Sequence, residues 1–154
     1  LIYGEATRVM SLRDGTKKMS KSDASELSRV LLTDSNDVIA TKLKKAKSDS
    51  DLIPDTVELL KEKAECLNLI NILSATMNQS QEKTLQEFAG REYSILKNKL
   101  AENLIEVLGP IREEIKNLLD NKDELNKILA IGTEKAEEIA NPILQEVYKI
   151  VGFR

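Results

Sequence analysis

Residues 93–119 read YSILKNKLAENLIEVLGPIREEIKNLL. Tyr93, Leu96, Leu100, Leu104, Val107, Leu108, Ile111, Ile115, Leu118 and Leu119 recur there at steps of three and four. That spacing lines one face of a 3.6-residue helix, and it persists for more than seven turns. The stretch predicts one long amphipathic helix. Pro110 removes a backbone donor and crowds the turn before it, which predicts a kink there or a break with a new start.

The helical pattern continues on both sides. Downstream, Asn121 with Glu124 fits a capping box and opens a short helix through Leu125, Ile128 and Leu129 that ends at Gly132. Thr133 then caps a last helix with Ile139, Ile143, Val147 and Ile150 facing inward, Pro142 as a second candidate kink and Gly152 as its close. Upstream, Asp55 with Glu58 resembles another capping box. Leu59, Leu60, Leu67, Leu69, Ile70, Ile72 and Leu73 supply two short helices, the second ending near Asn78. Ser80 caps a further helix that carries Leu85 and Phe88 to a stop at Gly90. Before these, Val38, Ile39, Leu43 and Ala46 share a face while Lys42, Lys44, Lys45 and Lys47 lie mostly off it, reading either as a solvated face or as a cluster that touches phosphate. Tyr93, Tyr148 and Phe88 sit on apolar stripes and read as core, and Cys66 as an inert small hydrophobe.

The front of the chain is different. Arg8-Val9-Met10-Ser11-Leu12 is a short apolar and β-branched run that reads as a strand, and Asp14-Gly15 as the turn that ends it. Thr16 to Asp23 is polar, small and cationic without a period, and reads as a loop. The fold predicted is mainly α: a helical bundle preceded by the last strand of another domain. The chain begins Leu1-Ile2-Tyr3-Gly4, which predicts the middle of a longer protein.

Composition narrows the chemistry. The 154 residues are 41% hydrophobic and 32% charged, with one cysteine and no histidine. That size is enough to bury a core. No apolar run reaches the length of a membrane span and no leader is evident, so a soluble protein without membrane partners is expected. One cysteine excludes an internal disulfide. Lack of histidine excludes the usual zinc sites, Ser-His-Asp triads and Cys-His dyads, so no metal site is expected in the chain itself. Charge is unevenly divided: residues 1–47 hold ten Lys+Arg against six Asp+Glu, and residues 48–154 thirteen against twenty, so a head of +4 precedes a body of −7. Such a head suits phosphate.

Within it, Lys18-Met19-Ser20-Lys21-Ser22 places two lysines three apart among hydroxyl residues. Ammonium groups on flexible stems and small hydroxyl donors suit a polyphosphate, and a loop can close once the ligand arrives. Where pyrophosphate leaves, cations placed on the leaving oxygens stabilise the transition state more than the ground state. An arbitrary Lys/Ser stretch is more often a solvated connector. Here the letters decide otherwise. KMSKS is the second signature of class I aminoacyl-tRNA synthetases, and Arg8 to Asp23 as a whole resembles the bacterial tryptophanyl-tRNA synthetases. The resemblance continues through Val38-Ile39, Lys42 to Ala46, Leu67-Asn68-Leu69-Ile70-Asn71-Ile72, Glu87-Phe88-Ala89-Gly90, Tyr93, Leu96-Lys97, Leu100-Ala101-Glu102, Pro110-Ile111, Gly132 to Ala136 and Val147-Tyr148, ending at Gly152-Phe153. It spans essentially the whole chain.

The resemblance implies a division into residues 1–34, the end of a Rossmann-like catalytic domain with its KMSKS loop, and residues 35–154, a helical domain of the anticodon-binding type. It implies a cytoplasmic ligase that activates L-tryptophan with ATP, accompanied by Mg2+, releases pyrophosphate and charges tRNA(Trp). Carried over, Lys18 and Lys21 hold and neutralise the phosphates, with Lys21 in the larger transition-state role. Met19 lies near the adenine, Val9 flanks it through its backbone, and Ser20 and Ser22 shape the loop and donate to phosphate. The intact enzyme is expected to be a homodimer, and a monomer remains open for this chain alone. Gly15 and Ala24 stand where the family often has proline, which predicts a less restrained loop entry and exit, and Lys63-Ala64 stands where an Arg-Pro pair is frequent. The other class I signature, HIGH-like, is missing from these residues, so the chain by itself is expected to be inactive. A tyrosyl-tRNA synthetase relative shares the architecture, though the RVMSL lead-in favours tryptophan, and a catalytically silent helical interaction module is the reading from another class.

Overall fold

The computed structural model describes residues 8–153, and the opening Leu1-Ile2-Tyr3-Gly4 lies outside them. Two short strands, β1 (Met10–Ser11) and β2 (Asp14–Lys18), precede six helices: α1 (Asn36–Lys44), α2 (Val57–Glu62), α3 (Ala64–Thr76), α4 (Gln81–Phe88), α5 (Tyr93–Asp120) and α6 (Lys122–Val151). The protein is therefore mainly α with a small hairpin at its front, as its apolar period predicts. It divides into two compact units, residues 1–112 and residues 113–154.

In the first unit the core gathers from every element. Leu12 of the hairpin, Ile39 and Leu43 of α1, Leu60 of α2, Leu69, Ile70 and Leu73 of α3, Leu85 of α4, and Leu96, Leu100 and Leu104 of α5 are all buried. Burying one such aliphatic side chain contributes about 1.5–3 kcal/mol. The stripe on α5 thus does the work its spacing implies as far as Leu104, whereas Val107, Ile111 and Leu119 beyond it are exposed. Tyr93 and Phe88 are buried as expected. Cys66 is fully buried as well, and desolvation pushes its thiol above the ordinary range.

The caps show how local chemistry starts these helices. Ser80 Oγ accepts the Lys83 N–H at 3.3 Å and Asn121 Oδ1 accepts the Glu124 N–H at 3.2 Å, each satisfying a donor that has no partner within its own helix. At α2 the cap is Thr56, whose Oγ1 accepts the Leu59 N–H at 3.4 Å, in place of Asp55. Gly90, at φ 70°, turns the chain out of α4 in the left-handed region open to glycine.

Two sequence expectations are corrected and one is narrowed. Of the kink or break expected at Pro110, the break is ruled out, since α5 runs through it. Proline removes one hydrogen bond, and here Pro110 and Glu106, four residues before it, are both exposed, so the freed carbonyl is open to solvent. Gly132-Thr133 does not divide two helices either, since α6 is continuous and Thr133 Oγ1 donates back to the Leu129 carbonyl at 2.9 Å instead of capping a new start. Finally, Ile139, Ile143, Val147 and Ile150 do not face a core. No residue of α6 is buried, and Ile139 is 72% exposed. Tyr148 shares this exposure, touching Phe153 with ring centroids 6.2 Å apart.

Gly15 carries a sharper constraint than its letters suggest. It is the second residue of β2 and not part of a turn; the turn is Leu12-Arg13, between the paired residues Ser11 and Asp14. A Cβ added to Gly15 would lie 2.5 Å from the backbone C and O of Ala64 and 2.6 Å from the Glu65 nitrogen. The hairpin and the first turn of α3 meet backbone to backbone, so the loop entry is firmly held despite lacking proline. Gly15→Ala is expected to destabilise the chain by about 1–3 kcal/mol, the usual range for overpacking. A urea-unfolding midpoint equal to the wild type would contradict that contact.

Candidate functional site

The hairpin sets the geometry of the KMSKS segment. β1 and β2 pair antiparallel, with Met10 opposite Lys18, and the Met19 N–H donates to the Val9 carbonyl at 3.1 Å. Thr16, Lys17 and Lys18, read from sequence as loop, are therefore strand. They are polar because their side chains face solvent; the partner backbone of β1, not apolar periodicity, makes them a strand. The loop proper starts after Lys18. Met19 is half-buried against the core, while Lys18, Ser20, Lys21 and Ser22 are exposed.

The structure brings these residues onto one short arc. Ser20 and Ser22 hydroxyls are 3.1 Å apart, and the Ser22 N–H donates to Ser20 Oγ at 3.3 Å. Neither lysine of the motif has an acid partner among the described residues, since the ion pair beside them is Lys17 with Asp14, at 3.3 Å. Both ammonium groups are thus available to an anion. Val9, at the other edge of the hairpin, stands next to Met19 through the hydrogen bond already described.

Neighbouring groups brace the arc. Asp14 Oδ1 accepts from the Thr16 hydroxyl at 2.6 Å and the Thr16 N–H at 3.0 Å, and those bonds, with help from Lys17, hold its carboxyl down to about 2 from 3.8. Lys47 meets Glu65 at 2.8 Å on the far side, which lowers the Glu65 carboxyl and raises the Lys47 ammonium. Asp23 Oδ1 accepts the Ser25 N–H at 2.8 Å, and the Arg29 guanidinium donates to the carbonyls of Asp23 and Ser25 at 3.0 and 3.3 Å, fastening the loop exit. Sequence reasoning passed over Arg29, because a lone arginine beyond a loop carries no spacing signal.

A pH prediction follows. Asp14 and Glu65 have folded values below their ordinary 3.8 and 4.5, so the stability each adds is present above those values and is lost as pH falls through them toward about 2. Lys47 is raised, so its share is lost only as pH climbs above the ordinary lysine range. The unfolding midpoint is expected to be flat near neutrality and to fall between about pH 4.5 and pH 2. In Asp14→Asn/Glu65→Gln that acid slope is expected to be shallower; an unchanged slope would refute these two groups as its source.

With this geometry in view, comparisons with known proteins place the chain. A family model described as tRNA synthetases class I (W and Y) matches residues 2–109. The chain belongs to that family. As a class I synthetase of this W and Y group it is 47% identical over 153 residues to the tryptophan–tRNA ligase of Caulobacter vibrioides and 46% identical to that of Agrobacterium fabrum, alignments covering 99% of the chain. It spans 44% and 43% of those relatives' own lengths. Among solved structures, tryptophanyl-tRNA synthetase from Mycoplasma pneumoniae matches with a TM-score of 0.78 at 26% identity, over 96% of this chain and 46% of that one. The helical order found here is therefore that of a tryptophanyl-tRNA synthetase fold.

Proposed function

We propose that this chain supplies the ATP-phosphate-binding loop and the tRNA-binding helical domain of a tryptophan–tRNA ligase. The observation that carries the reading is the exposed Lys18–Ser22 arc at the end of a fixed hairpin, its two lysines without an acid partner among the described residues, in a chain whose relatives are named tryptophan–tRNA ligases. In the full-length enzyme, tryptophan attacks the α-phosphorus of ATP, and the P–O bond to pyrophosphate breaks. Lys18 and Lys21 neutralise the β- and γ-phosphates and Lys21 follows the growing charge on the leaving oxygen. Ser20 and Ser22 donate to phosphate, Met19 lies against the adenine and Val9 offers backbone to it. The adenylate then passes its tryptophanyl group to tRNA(Trp).

Magnesium accompanies the ATP. The arc offers ammonium and hydroxyl groups, which fit phosphate oxygens and not a cation, so the ion would come bound to the nucleotide's phosphates. Residues 1–34 serve as the end of the catalytic domain and residues 35–154 as the helical domain, in a cytoplasmic homodimer. The 47% identity to a tryptophan–tRNA ligase favours tryptophan over tyrosine. Charging of tRNA with each amino acid by the full-length protein tests the reading: tryptophan is expected to be incorporated, and charging with tyrosine alone, or with neither, would overturn it.

A further inference from the structure

One helix side chain is joined to the backbone of the nucleotide-side hairpin. Asn68, on α3, is only 3% exposed. Its Oδ1 accepts the Met10 N–H at 2.9 Å, and its Nδ2 donates to the Met10 carbonyl at 2.9 Å and reaches the Ser11 carbonyl at 3.5 Å. The partners fix the orientation of the amide, because a backbone N–H can face only an acceptor and a carbonyl only a donor. A primary carboxamide presents the same acceptor-and-donor pair as a peptide group. Asn68 therefore acts as a one-residue third strand on the edge of β1 that β2 does not use.

The place it holds is specific. Met10 stands opposite Lys18, the first lysine of the arc, and follows Val9, whose carbonyl takes the Met19 N–H. In a strand the N–H and C=O of one residue share an edge, and successive residues alternate between the two edges. Val9 thus faces Met19 while Met10 faces Asn68, and a shift of β1 at Met10 would be transmitted to both Val9–Met19 and Lys18. Both amide atoms of Asn68 are occupied by backbone, so it reaches the nucleotide only through the strand.

We propose that Asn68 is a positioning residue for ATP: by clamping Met10 from α3 it sets the height of β1, and so the placement of Val9, Met19 and Lys18 toward the nucleotide. This rests on the reading of the arc as the ATP site. The test is Asn68→Asp in the full-length enzyme, which keeps the shape and the acceptor for the Met10 N–H but turns a carboxylate oxygen toward the Met10 and Ser11 carbonyls. Leaving such buried acceptors unpaired predicts an increase in the KM for ATP of about tenfold. The KM for tryptophan is expected to be unchanged, and amide hydrogen exchange at Met10 and Met19 to quicken. If that variant fails to fold, Asn68→Ser removes both amide bonds without adding charge and carries the same readouts. A wild-type KM for ATP, or equal increases in the KM for ATP and for tryptophan, would overturn the proposal. Lys21→Ala, assayed in parallel, separates the two levels: if it slows adenylate formation while Asn68→Asp leaves the KM for ATP alone, only the role of Asn68 falls, and if it has no effect the ATP-site reading falls with it.

Discussion

Lys21→Ala in the full-length enzyme is expected to slow tryptophanyl-adenylate formation by about 10²–10³-fold, the usual cost of removing one charge-stabilising group from a transition state. Its ammonium lies at the exposed end of the arc and has no carboxylate partner among the described residues, so none of their contacts is lost with it. Stability should therefore stay within about 0.5 kcal/mol of wild type, as for ordinary surface substitutions. Tryptophan binding should also persist, because in the proposed role Lys21 acts on phosphate charge that grows only as pyrophosphate leaves. Rapid-quench measurement of adenylate at saturating ATP checks this. A rate within about twofold of wild type, well under 1 kcal/mol in barrier, would remove Lys21 from the chemistry.

The second large effect concerns folding. Lys42 reads from sequence as part of a solvated basic face, but the structure buries it: its Nζ meets Asp34 Oδ2 at 2.6 Å, with side chains 6% and 10% exposed. The same Asp34 oxygen accepts the Leu31 N–H at 2.8 Å, and the Asp34 carbonyl accepts from Arg112 at 2.7 Å, so the pair fastens the approach to α1 onto α5. Lys42→Met leaves a buried carboxylate with one backbone N–H in place of a cation. The cost of stranding such a charge is about 3–5 kcal/mol, against at most a small gain from the apolar replacement. For a chain of this size that is a Tm lower by roughly 10 °C or more. Adding Asp34→Leu should recover part of the loss, since a pair replaced by apolar groups removes the stranded charge. Equal stability of Lys42→Met and wild type by urea unfolding would show that the pair contributes nothing net.

Much of this was legible beforehand, for reasons that differ by residue. The apolar steps of Tyr93 to Leu104 reported their own burial, and Ser80 and Asn121 announced helix starts because capping is a local bond that needs no distant partner. The arc was found by its letters: Lys18, Lys21 and their serines are adjacent in sequence, so their juxtaposition owes nothing to tertiary structure. What stayed hidden depends on distant partners. Lys42 could not be known to be buried without Asp34, Gly15 could not be known to be crowded without Ala64, and Asn68 sits in an apolar run where nothing local points to Met10. The stripe of α6 shows the converse: period 3.6 marks a face fit for burial, and it cannot say whether these residues contain what buries it.

Cys66 gives the molecule an experimental convenience. It is the chain's one cysteine, wholly buried in the core and with a thiol held in its unreactive protonated form. A cysteine placed at exposed Ala24, just past the arc, would then be the site that a maleimide dye reaches under native conditions. Within these residues Cys66 need not be deleted first, so a dye there would report on the proposed ATP loop.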